Sequence, residues 1–146
     1  MKTTFKQFLQ EQTLPKASSE EELLSSIKNG KFTLDGSDLK IDGDFYCYNN
    51  KLTSLQGAPS SVGDRFGCND NQLTSLQGAP QSVGGDFNCP NNKLTSLDGA
   101  PQSVDGHFVC HHNKLTSLHD IHKHIKEIKG YAYFEKTQSS RMSLAC

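Results

Sequence analysis

Every 21 residues the chain repeats itself. Leu52-Thr53-Ser54-Leu55 returns as Leu73-Thr74-Ser75-Leu76, Leu94-Thr95-Ser96-Leu97 and Leu115-Thr116-Ser117-Leu118. Other positions keep step: Phe45, Phe66, Phe87 and Phe108; Cys47, Cys68, Cys89 and Cys110; Asn50, Asn71, Asn92 and Asn113. A fixed short period constrains the fold more than any composition does. It requires one small supersecondary unit stacked on copies of itself, each burying its apolar side against its neighbours. The 146 residues leave room for one such domain with short tails. The apolar fraction, 34%, is low for a globular core but periodic, and a thin solenoid core needs no more.

Within one unit, Phe-x-Cys alternates in the manner of a short strand with both side chains inward. The following Asn turns the chain, and a stack of its amides can satisfy backbone groups freed at the turn. Gly-Ala-Pro recurs at Gly57-Ala58-Pro59, Gly78-Ala79-Pro80 and Gly99-Ala100-Pro101. Glycine permits positive φ and proline ends a helix, so the back of each unit is extended or turn-like. The pattern Phe66-x-Cys68-x-x-Asn71-x-Leu73-x-x-Leu76 resembles the leucine-rich repeat, with Phe and Cys in place of its first two leucines. The unit is similar to the short bacterial type, with one extra residue between Pro and strand. Val83 stands four residues before Phe87, where three is usual, and Gly84-Gly85 is expected to absorb the difference as a bulge.

The resemblance implies a β-rich solenoid. It would be a leucine-rich-repeat stack of 21-residue units over residues 36–118, with one parallel sheet. The ends are atypical, as solenoid caps must be. Ser18-Ser19-Glu20-Glu21-Glu22, then Leu23, Leu24 and Ile27, predicts an N-terminal capping helix within residues 18–35, stopped at Asn29-Gly30. Residues 119–134 predict a C-terminal capping turn and strand. Ile121, Ile125 and Ile128 lie on one side of a helical turn, and Ala132 and Phe134 point inward from a last strand. Residues 135–146 are polar and expected to be a mobile tail.

Five cysteines in a small chain raise the question of disulfides. Four of them share one position of the repeat. Stacked strands lie ~4.8 Å apart with equivalent side chains pointing the same way, which gives a ladder of buried thiols rather than facing pairs. A linear ladder does not converge on a metal centre. All six histidines fall between His107 and His124. His107 and His111 are four apart on a strand, about 13 Å, too far to share an ion. No third ligand completes His119 and His122, so no metal and no cofactor is expected. Nucleophile elbows, phosphate loops and paired zinc motifs are absent, and the chain reads as no enzyme. A net charge of −1 favours neither nucleic acid nor a membrane surface, and no apolar run reaches membrane-spanning length.

Binding is therefore the function the pattern allows. Outward positions of the strands form a concave face whose columns vary between copies while the scaffold does not. They include Tyr46, Tyr48, Arg65, Asn69, Asp86, Asn88, His107, His111, Tyr131 and Tyr133. Exposed tyrosines on a rigid sheet are good anchors for a protein partner, and Trp, the usual anchor, is absent.

Residues 1–17 stand apart as an amphipathic leader and linker, with Phe5, Phe8 and Leu9 on one helical face. A docking segment is one reading. Met1-Lys2-Thr3, Phe5 and Phe8-Leu9-Gln10-Glu11 also resemble the capsid-targeting leaders of tailed-phage internal head proteins, which are cut after the glutamate by the prohead protease. Thr4 is an insertion relative to that pattern. The resemblance implies processing at Glu11, a place inside the virion, and delivery to the bacterial host cytoplasm, where the module would occlude a host protein. Two alternatives stand beside it: a structural virion protein without a host target, and a small metal protein using the histidines.

Overall fold

The computed structural model describes residues 27–28, 32–35, 38–119 and 121–134, with side chains from Leu39 onward. Equivalent short strands pair in parallel and build a β-solenoid of about four turns. Two six-stranded sheets run through it, not one. The first is built on β4 (Asp44–Tyr46), β6 (Phe66–Gly67), β8 (Phe87–Asn88), β10 (Phe108–Val109) and β12 (Ala132–Tyr133). The second holds β3 (Asp38–Ile41), β5 (Ser61–Val62), β7 (Ser82–Val83), β9 (Ser103–Val104) and β11 (Glu127–Ile128).

This second sheet corrects the expectation of a single one. Its cause is the Ser-Val pair after each Gly-x-Pro turn. The valine enters the core, and its neighbour's backbone bonds to the turn below. Val62, Val83 and Val104 are all buried, and they align with one another and then with Ile128. Gly84 and Gly85 are not a bulge inside a strand. They form the corner between β7 and β8, each donating its N–H to the preceding turn, to the Val62 and Asp64 carbonyls at 2.9 Å. A Cβ on Gly84 would sit 2.1 Å from the Gly63 carbonyl oxygen, so the corner stacks more tightly than a side chain allows.

The core is a set of columns. Phe45 pairs with Phe66, Phe66 with Phe87 and Phe87 with Phe108. Their rings stack at 5.8, 5.3 and 5.2 Å with planes within 12° of parallel. Cys47, Cys68, Cys89 and Cys110 lie beside them, buried and free. Burial pushes the Cys47 thiol up to about 12 and the Cys68 and Cys89 thiols well above their usual value, so these groups are neutral hydrophobes. Leu52, Leu55, Leu73, Leu76, Leu94 and Leu97 close the section.

Asparagines seal the turn. The Asn71 side-chain oxygen accepts the N–H groups of Asn50 and Leu52, and its amide donates to the Cys47 and Cys68 carbonyls, all at 3.0 Å. Asn92 and Asn113 repeat this, tying Leu73 and Leu94 N–H groups to the Cys68, Cys89 and Cys110 carbonyls. Each amide thus staples two turns, and among the described residues no buried side-chain nitrogen or oxygen lacks a partner. Asn50 departs from the expected ladder. It is exposed, and the first staple is Asn71 reaching back to Cys47. At the Gly-Ala-Pro turns Gly57, Gly78 and Gly99 have φ of 89°, 89° and 81°. A Cβ on Gly78 would meet the Leu55 carbonyl oxygen at 2.6 Å.

At the N-terminal end, β1 (Ile27–Lys28) pairs antiparallel with β4, and β2 (Phe32–Asp35) pairs antiparallel with β3. Residues 27–28 and 32–35 are therefore strand, not the end of a capping helix. The open edges of β4 and β3 offer unpaired backbone groups, and Ile27 and Phe32 suit strands better than a helix terminus. The rest of the expected helix, the leader with Glu11 and the tail from residue 135 lie outside the described residues.

At the other end the helical turn is shorter than expected. It is α1 (Ile121–His124), with Ile121 and Ile125 buried. Ile128 belongs to β11 instead, because the second sheet needs a partner for Val104. The last strand aligns Ala132 with Phe108, and the Phe134 ring lies 5.8 Å from that of Phe108.

Candidate functional site

The outer face of the first sheet carries every sequence-predicted partner residue, in three columns. Asp44, Arg65, Asp86, His107 and Tyr131 precede the inward residue, which is Phe in four strands and Ala132 in the last. Tyr46, Gly67, Asn88, Val109 and Tyr133 follow it. Tyr48, Asn69, Pro90 and His111 follow the Cys. Strand alternation makes this so: Phe and Cys go in, and their neighbours go out. Exposure is uneven. Tyr131, Tyr133 and Tyr48 are 59%, 49% and 44% exposed, and Arg65 is exposed as well. Tyr46, Asn69, Asp86, Asn88, His107 and His111 are half-buried.

Tyr46 is partly structural. Its ring covers Gly67, where a Cβ would come within 2.7 Å of Cδ1, and this cover buries the glycine. Its ring also lies 5.8 Å from Tyr48, tilted by 60°. Burial, then the Asp44 carboxylate, pushes the Tyr46 phenol up, while a hydrogen bond with the Arg65 guanidinium works the other way. That same bond, followed by the charges around it, holds the exposed Arg65 guanidinium above its usual value. Arg65 Nε also stands 3.8 Å from Asp86 Oδ2. Asp44, Tyr46, Arg65 and Asp86 thus form one polar chain across three turns.

The first column does a second task that sequence reasoning missed. Asp44 Oδ1 accepts the Arg65 N–H at 3.0 Å, and Asp86 Oδ1 accepts the His107 N–H at 2.8 Å. At the next step His107 Nδ1 accepts the Tyr131 N–H at 3.0 Å. Each side chain therefore caps the backbone one turn further on. The available signal was Asp-Phe at Asp44-Phe45 and Asp86-Phe87, with His before the fourth repeated Phe, Phe108. Two aromatic clusters result. Tyr46 and Tyr48 stand at one end, and His107, Tyr131 and Tyr133 at the other. There the His107 and Tyr131 rings stack at 5.5 Å with planes 9° apart.

The remaining histidines do not assemble. His111 and His112 meet edge to face at 4.8 Å, and His124 Nε2 lies 3.5 Å from Asp98 Oδ1. Among the described residues no three of His, Cys, Asp or Glu form a group able to hold a metal ion. No helix among them is long and apolar enough to cross a membrane. Comparison with family models, with curated proteins and with solved structures returns no match to this chain.

Proposed function

We propose that the chain is a leucine-rich-repeat protein of the short bacterial type, acting as a non-enzymatic protein-binding module. Its contact surface is the outer face of the first sheet. The observation that carries this reading is the contrast between the two sides of one strand. Inward columns are near-invariant from turn to turn, while outward columns change at every turn and carry three exposed tyrosines. Those side chains stand on a backbone already tied by asparagine staples and by the Asp44 and Asp86 caps. Little further ordering opposes binding, which is where rigid repeat surfaces gain affinity.

The leader supplies the setting in this proposal. Processing after Glu11 and packaging in a phage head would deliver the module into a bacterium, where occlusion of a host protein requires no catalytic group. The test is site-specific photo-crosslinking in bacterial lysate. A crosslinker at Asn88, in the middle of the face, is expected to capture a defined protein. The same group at Thr95, exposed on another side of the turn, is expected to capture none of it. Equal capture from both positions, or none from Asn88, would refute the proposal.

A further inference from the structure

We propose that His107 is a pH-sensitive latch that docks the last strand of the first sheet, and with it Tyr131 and Tyr133, onto the solenoid. His107 stands in a column whose side chains cap the backbone of a neighbouring turn. At the two Asp rungs, a carboxylate oxygen accepts the N–H of the residue one turn on. A carboxyl group keeps an acceptor oxygen whether or not it carries a proton. At the last rung the acceptor is the Nδ1 of an imidazole. A nitrogen accepts only while it carries no proton, so the bond requires neutral His107 with its proton on Nε2. Protonation turns Nδ1 into a donor facing another donor.

The site is shaped for the imidazole. Gly130 precedes Tyr131, and a Cβ there would lie 2.7 Å from Nδ1. The Tyr131 ring lies flat on the imidazole, and Tyr133 meets it edge-on at 5.8 Å. From the preceding turn it is faced by Asp86, which is itself paired with Arg65. The adjoining corner carries the Asp105–Lys129 ion pair at 2.9 Å. The strand it holds is short. Beyond the latch, β12 is tied to β10 by ladder bonds such as those from the Phe108 and Cys110 N–H groups to the Tyr131 and Tyr133 carbonyls. Once the imidazole takes up a second proton, the latch opens and the aromatic cluster at this end loses its fixed geometry.

This inference rests on the proposed face only in that β12 carries two of its tyrosines. Its test needs no partner, so failure of one leaves the other standing. The measurement is amide exchange at Tyr131 in the full chain at pH 7.5 and 5.5, expressed as a protection factor so that intrinsic pH effects cancel. The wild-type factor is expected to fall about tenfold, the scale of one lost hydrogen bond, while that of Phe87 stays level. His107→Asn offers a non-titrating acceptor, and His107→Asp reproduces the earlier rungs. Both are expected to hold their Tyr131 protection across this range. A wild-type factor constant within twofold, or an equal fall in both variants, would overturn the latch.

Discussion

Replacing Phe87 with alanine tests the register of the whole stack. The ring is fully buried and sandwiched between Phe66 at 5.3 Å and Phe108 at 5.2 Å. Burying a phenylalanine removes about 150 Å² from water, worth about 4 kcal/mol at ~25 cal/mol per Å². Alanine retains a small part of that, but the lost ring contacts offset what it keeps. The vacated space cannot collapse either, because both neighbouring rings belong to strands with their own backbone bonds. The expected loss is therefore about 4–5 kcal/mol, the upper part of the range for such truncations. Against a total stability on the order of 5–15 kcal/mol, that removes about a quarter or more. Urea unfolding followed by far-ultraviolet circular dichroism and tyrosine fluorescence measures it. Asn88→Ala, one residue on and facing outward, is the control and should change stability by less than about 1 kcal/mol. A Phe87→Ala loss below about 1 kcal/mol, or a larger loss from Asn88→Ala, would mean that the inward and outward sets are exchanged.

Three further outcomes follow from the same geometry. Asn92→Ala leaves the Leu73 N–H and the Cys68 and Cys89 carbonyls without that partner, and should cost about 1–3 kcal/mol. Asn50→Ala, at the exposed first copy, should cost less than about 0.5 kcal/mol in the same urea titration. Burial raises the Cys47 thiol from 9.0 to about 12 and raises Cys68 and Cys89 in the same direction, so the folded chain holds these protons longer than the unfolded one. Their contribution is complete below about pH 9 and is lost as the pH rises towards 12; the urea midpoint should fall between pH 8 and 10.5, and fall less in Cys47→Ala. If the leader is processed, protein from mature particles should begin at Gln12 and Glu11→Ala should remain uncut; mass spectrometry showing an intact Met1 terminus there would remove processing from the proposal, and finding none of the protein there would remove packaging.

Much of the core was legible because the period aligns chemistry directly. Once Phe45, Phe66, Phe87 and Phe108 are known to be equivalent, one inward assignment fixes four, and the same holds for the cysteines; for the asparagines it holds at Asn71, Asn92 and Asn113 but not at the exposed Asn50. The second sheet was hidden because its repeated strands are only two residues long. Ser-Val carries no alternation to recognise, and only stacking in register makes it a strand. The N-terminal pairing was hidden for another reason. Helical spacing of Leu23, Leu24 and Ile27 is a local signal, and the open edge of β4 that claims Ile27 is a tertiary one. In the candidate site the columns were legible, but the division of labour within them was not. Asp44, Asp86 and His107 look like contact residues until the next turn is laid on them and their acceptors are found engaged. Tyr46 likewise looks free until Gly67 is found beneath it.

The central claim is that the outer face of the first sheet is a protein-binding surface. Its most direct test is the affinity of the crosslinked partner, once isolated, for the wild-type chain and for Tyr48→Ala/Tyr133→Ala, measured by titration calorimetry at pH 7.5. Both tyrosines are about half exposed and stand at opposite ends of the face, so the fold should tolerate their loss. Weakening by at least about 30-fold, or about 2 kcal/mol, is expected, with the urea midpoint nearly unchanged. Unchanged affinity in that variant, with Lys93→Ala/Thr95→Ala weakening binding instead, would contradict it.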